Sequence, residues 1–252
     1  MLRLFQRGAP GAQTGHLEVA HCGAVHRIEL KRLKSARRFT LRVRAASRDV
    51  VLSMPARASL KAAREFAERH AGWIGARLDR LPKPIYFEPL SIAPLRGVDH
   101  RIVHRPDARG VVWTAEDEDG PLLCVAGDLA HVARRVGDFF KREARRDLET
   151  AVARHTAALG LKTRRLTLRD TTSRWGSCSS TGALNFSWRL IFAPPFVLDY
   201  LAAHEVAHLI HMDHSPAFWR VARRLFPETD RAEAWLKAHG ADLHRFGGRQ
   251  AA

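Results

Sequence analysis

One run restricts what this chain can become more tightly than any other: His204-Glu205-Val206-Ala207-His208-Leu209-Ile210-His211-Met212-Asp213-His214. In an α-helix, positions i and i+4 share one face about one turn apart. On such a helix His204 and His208 present two imidazoles to one ion. Glu205 projects beside the pair, where it polarises a metal-bound water without taking a coordination position. Val197, Leu198, Leu201, Ala202, Val206, Ala207 and Leu209 put apolar bulk around that polar stripe, which supports a helix following Pro194-Pro195.

A catalytic zinc takes three protein ligands and leaves one position open. His211 lies on the same face, three residues after His208, but about 10 Å along the axis from His204 at 1.5 Å per residue. One ion does not bridge that span comfortably. His214 comes six residues after His208. A helix ending near His211–Met212 lets the chain fold back and bring His214 to the metal, so His214 is the favoured third ligand. Glu228 or Glu233, from a later helix, is the alternative. Cys22, Cys124 and Cys178 are far apart and form no CxxC pair, so nothing suggests a closed structural site. Imidazole donors with an open position favour zinc.

The 252 residues allow one large domain or two of ordinary size, and 46% hydrophobic residues supply a core. No apolar run approaches the roughly 20 residues of a membrane helix. Met1–Gly8 lacks the continuous apolar stretch of a secretory signal. The expectation is a cytoplasmic protein with free thiols. A formal charge of +16 raises nucleic acid as a partner. The excess is spread evenly, with 22 basic and 14 acidic residues in 1–129 and 20 and 12 in 130–252. Patches such as Arg134-Arg135, Arg145-Arg146 and Arg223-Arg224 read as solvated helix faces. The charge permits an acidic partner without identifying one.

Along the chain, Leu17–Ala20, Ala24–Leu30, Phe39–Arg44 and Val50–Met54 alternate as half-buried strands, with Ser47-Arg48-Asp49 as a turn. A helix is expected from Ser59, its cap, to about Leu81, stopped by Pro82 and Pro84. Residues 83–100 read as a proline-rich connection, and 102–104, 111–113 and 122–125 as further strands. Residues 128–159 keep a helical period through Val132, Val136, Phe139, Phe140, Ala144, Leu148 and Val152, with Gly160 at the C-cap. Short strands follow at Leu166–Leu168, around Trp175 and over Ala183–Trp188. Two more helices are expected near Ser215–Leu225 and Asp230–His244. No internal repeat is evident. The expected class is α+β: a β-rich N-terminal region with one helix over 1–127, then a zincin-like catalytic domain over 128–252.

Arg174-Trp175-Gly176-Ser177-Cys178, Leu184-Asn185-Phe186-Ser187-Trp188-Arg189-Leu190, Val197-Leu198-Asp199-Tyr200, the His204–His208 motif and His214-Ser215-Pro216-Ala217-Phe218-Trp219 together resemble the YgjP-type metallopeptidases. These are bacterial relatives of the SprT-like and WLM minimal zincins. The resemblance implies a zincin fold, zinc bound by His204, His208 and His214, and Glu205 as base. Asp213 stands where the family usually has Asn, which alters the charge near the metal without changing the ligand set.

The expected activity is peptide-bond hydrolysis by a zinc-bound water that Glu205 activates, on a protein or peptide substrate. The alternatives are a nucleic-acid-associated protein with proteolysis subordinate or absent, and a zinc-bound scaffold without turnover. His211, Tyr200 and Arg189 are candidate donors to the oxyanion. Ala183–Arg189 is either an edge strand that pairs with extended substrate or an ordinary interior strand. Asp199 either orients a ligand histidine or supplies negative charge to the helix N-terminus. Trp175, Phe218 and Trp219 are read as core, and Ser177 and Cys178 as turn or packing residues.

Overall fold

A computed structural model describes residues 14–44, 48–81 and 83–247. Met1–Gly8 and two of the expected turn and stop residues, Ser47 and Pro82, lie outside the described residues. The chain divides into two compact units, Met1–Lys83 and Pro84–Ala252.

In the first unit, β1 (Thr14–His21), β2 (Ala24–Leu33), β3 (Thr40–Val43) and β4 (Val50–Pro55) form a sheet in the order β1-β2-β4-β3. Strands β2 and β4 are parallel and the other pairs antiparallel. Alternation in β2 turns Ile28 and Leu30 inward, where they meet Leu52, Met54, Ala63, Ala67 and Ile74. The single helix expected here is two, α1 (Leu60–Arg69) and α2 (Ala71–Asp79). Ser59 caps the first as expected, accepting from the Ala62 N–H. His70 breaks the run: its φ is −107°, and its ring Nδ1 donates to the Phe66 carbonyl at 2.8 Å, competing with the backbone there.

In the second unit, β5 (Ile92–Leu95), β6 (Val98–Arg105), β7 (Val112–Asp117) and β8 (Gly120–Ala126) form a sheet in the order β5-β6-β8-β7. Strand β5 runs through the segment read as a connection. Its Pro94 sits on an edge, where a missing N–H removes no ladder bond that the sheet requires. The long helix α3 (Val132–Ala158) buries the predicted stripe. Ala93, Leu95, Ile102, Leu123 and Val125 of the sheet share one core with Val132, Val136, Phe139 and Phe140 of α3. The compact units therefore divide at 83/84, and the boundary expected near 127 falls inside the second.

The two sheets have the same strand order and the same pairing senses. Both first hairpins turn on two residues of positive φ ending in glycine, Cys22-Gly23 and Arg96-Gly97. Gly-x-x-His-Arg-Ile then follows in each, as residues 23–28 and 97–102. An internal repeat is present after all, too short and too diverged to show as periodicity.

A third sheet, in the order β10-β11-β9, is built from β9 (Arg165–Arg169), β10 (Gly176–Cys178) and β11 (Ala183–Ser187). After a 3-10 turn over Trp188–Phe192 come α4 (Pro195–Ala207), α5 (Pro216–Leu225) and α6 (Thr229–His239). Among the described residues no helix is long and apolar enough to cross a membrane.

Candidate metal centre

Pro195 opens α4 at a first-turn position, where its missing N–H is no loss. The helix is apolar nearly all round, with Val197, Ala202, Val206 and Ala207 fully buried, so it runs through the unit rather than over it. It ends at Ala207, earlier than the expected His211–Met212. Leu209, Ile210 and His211 then donate to Val206 and Ala207 in a tightened turn. The returning chain is caught by Ser215, which caps α5 by accepting from the Phe218 N–H. Phe218 is fully buried against Ala207 and stacks on the His208 ring at 4.4 Å between centroids. Those contacts bring His214 back over the helix end.

The ligand atoms of His204, His208 and His214 all lie within 4.8 Å of one another. Nε2 of His204 and Nε2 of His214 are 3.1 Å apart. Two ligands about 2.05 Å from a tetrahedral zinc stand about 3.3 Å apart, so this pair is spaced for one ion. The other ring nitrogens are held by the protein. His208 Nδ1 donates to the His211 carbonyl at 2.9 Å. His204 Nδ1 faces the Tyr200 hydroxyl at 3.3 Å, and that hydroxyl donates to Glu233 Oε1 at 2.7 Å. Both helix imidazoles thus keep Nε2 for a metal.

Burial pushes His204 down to about 4, and repulsion from His208 and His214 adds to it. Burial also lowers His208, outweighing its bond to the His211 carbonyl. Both shifts favour the neutral ring, the form that coordinates. Glu205 is 5% exposed, and burial raises it to about 7 against the opposing charge of Arg174. Its side chain packs against the backbone of β10 at Gly176. A Cβ at Gly176 would fall 2.7 Å from Glu205 Cγ and 2.8 Å from Cδ. Only glycine permits this approach without displacing the side chain, and nothing in residue spacing announces it.

Several expectations change. Strand β11 lies between β10 and β9, so Ala183–Ser187 is interior and the edge beside Glu205 is β10. Tyr200 is 3% exposed and committed to Glu233, and Arg189 is locked to Asp170 at 2.6 Å and to the Phe246 carbonyl at 2.5 Å. Neither is placed to serve an oxyanion. Glu228 pairs with Arg231, and Glu233 reaches Tyr200 rather than the imidazole cluster. Asp199 pairs with His155 at 2.7 Å and with Arg154, not with a candidate ligand. Burial opposes its ionisation, but those two partners win and hold the carboxyl below its ordinary range. Burial and Glu205 push the Cys178 thiol up to about 11, which leaves it a packing residue on β10. Phe218 is core as expected, whereas Trp219 is half-buried and lines an open cavity.

A family model described as YgjP-like, metallopeptidase domain, matches residues 37–239. No curated protein matches the chain. The solved metallopeptidase zymogen of Pyrococcus abyssi abylysin is similar over 39% of this chain and 97% of its own, at 22% identity and a TM-score of 0.34. That of Methanocaldococcus jannaschii jannalysin is similar over 36% and 88%, at 19% identity and a TM-score of 0.34.

Proposed function

The chain belongs to the YgjP-like metallopeptidase family, and from that premise we propose that it hydrolyses peptide bonds with one zinc held by His204, His208 and His214 and with Glu205 as general base. The observation that carries this reading is the convergence of three imidazoles on one point, with a buried carboxylate beside them. Three nitrogen donors suit zinc and leave a coordination position for the reaction. Zinc bound there supplies a Lewis acid and brings the pKa of a water toward neutrality.

The chain's own residues do the rest. The Glu205 carboxylate, packed against Gly176 of β10, accepts a proton from the attacking water and returns it to the leaving amine nitrogen. Its raised affinity for a proton suits both transfers. Tyr200 and Glu233 fix the His204 ring, and the His211 carbonyl fixes His208. The burial of α4 keeps bulk water off one side of the site.

Metal analysis with a peptide-hydrolysis assay tests the proposal. The wild-type chain should hold one zinc, and His204→Ala, His208→Ala and His214→Ala should each lose it. Glu205→Gln should keep zinc and lose turnover. Zinc retained in all three histidine variants would end the ligand assignment, and full turnover in Glu205→Gln would end the base.

A further inference from the structure

Helix α5 has two unlike faces. Phe218 and Ala222 point inward and are buried with Ala207 of α4. Pro216, Trp219, Arg220, Arg223 and Arg224 occupy positions i, i+3, i+4, i+7 and i+8, a single outer stripe. These five residues line an open cavity of about 680 Å³. The helix contains no acidic residue. Arg223 lies over the Trp219 ring and pairs with Asp230 at 3.5 Å. Arg220 and Arg224 have no ion-pair partner among the described residues. Like charges one turn apart, as at Arg220 and Arg224, destabilise a helix by a few tenths of a kcal/mol.

The position of Trp219 separates this stripe from an ordinary solvated face. Its ring lies 5.9 Å from that of His204 and 6.0 Å from that of His214, between centroids, and it also lines the cavity. The arginine cavity therefore shares a wall with the imidazole cluster. We propose that this cavity is a substrate subsite that binds the carboxylates of an acidic polypeptide segment close in sequence to the bond being cut. The inference rests on the metallopeptidase reading, since a polypeptide is what occupies the neighbouring centre. Arg220 and Arg224 are about 6 Å apart along the axis, close to the roughly 6.7 Å between alternate residues of an extended chain. The segment it fits carries Asp or Glu at alternate positions.

Binding to the zinc-loaded Glu205→Gln protein tests this without needing turnover. The probes are two fluorescent peptides differing only in Glu against Gln at two alternate positions. The Glu peptide should bind roughly fivefold to tenfold more tightly at low salt. That preference should vanish in Arg220→Gln/Arg224→Gln and reverse in Arg220→Glu/Arg224→Glu, with zinc content and melting temperature certifying each fold. Equal binding of the two peptides by the parent protein would overturn the subsite. So would a random DNA duplex that binds more tightly than the acidic peptide through the same two arginines, since the stripe would then be a nucleic-acid surface. An acid preference in binding, with no hydrolysis by the zinc-loaded wild type, would sink the peptidase reading and leave the subsite standing.

Discussion

The sheet of residues 14–55 and the sheet of residues 92–126 share a topology and a turn, yet they are finished in different ways. None of the described residues comes within 4 Å of a Cβ at Gly23, and the first sheet closes its core with its own α1 and α2 through Ala63, Ala67 and Ala71. The second sheet docks its turn onto the frame of the candidate metal centre. A Cβ at Gly97 would meet the Pro194 backbone at 3.0 Å. The Arg96 N–H donates to the Ile191 carbonyl at 2.7 Å, and its guanidinium reaches Asp147 at 2.7 Å and Glu143 at 2.9 Å on α3. Pro194 is the residue from which α4 starts. The first hairpin is thus open at its turn glycine, while the turn of its counterpart packs on the residue where the helix with His204 begins. Topology did not decide that; the contacts of two turn residues did.

If Gly97 and Gly176 serve close approach and Gly23 serves only its turn, substitutions should separate the two uses. The largest effect is expected at Gly176. Gly176→Ala pushes Glu205 off β10, and a misplacement of that size lowers kcat by about 100-fold while zinc content stays at the wild-type level. Turnover within threefold of wild type would show that the approach is incidental. Next comes Gly97→Ala, which adds a clash with the Pro194 backbone to the strain of φ +79°. A loss of about 3 kcal/mol is expected in urea unfolding. Tyr200→Phe removes the group that faces His204 Nδ1, and zinc affinity should fall roughly 10-fold to 100-fold in a chelator competition. His26→Gln, on the first sheet, should leave that affinity untouched.

Much of the centre was legible because it is local. The His204–His208 pair and Glu205 follow from helix periodicity alone, and His214 needed only a helix end nearby. What escaped depends on partners far apart in sequence. Tyr200 and Glu233 are 33 residues apart, and their hydrogen bond leaves no periodic trace. Gly176 packs on a side chain 29 positions away, so its glycine looks like any other turn residue until β10 is laid beside α4. Strand β5 was hidden by Pro94, whose meaning depends on the strand being an edge. The helical period of the 27-residue α3 was plain, but the boundary near 127 was not. The residues before it, Leu123 and Val125, are buried against residues that follow it.

Acid should also tell the units apart. Burial, with the nearby Arg189 charge adding, pushes His244 down to about 4, and its Nδ1, beside Trp175, has no hydrogen-bond partner among the described residues. Unfolded, the same group titrates near its ordinary 6.5. Between pH 6.5 and 4 the unfolded chain therefore takes up a proton that the native chain refuses. Stability falls as pH falls through that window. His244→Phe should flatten that slope in urea midpoints measured from pH 7 to pH 4. An unchanged slope would mean that His244 takes up its proton without unfolding.

The smallest effect belongs to Gly23. Its φ of +78° nearly matches the +79° of Gly97, so alanine meets similar backbone strain at both turns. At Gly23 none of the described residues lies within 4 Å of the added methyl, and strain alone remains, about 1 kcal/mol. The difference between Gly97→Ala and Gly23→Ala then isolates the contact with Pro194 from the conformation of the turn. Equal losses at the two positions would mean that Pro194 yields freely and that the second hairpin does not fix the start of α4. A Gly97 loss about 2 kcal/mol larger, accompanied by lower turnover that Gly23→Ala does not share, is the result expected if that hairpin supports the metal centre.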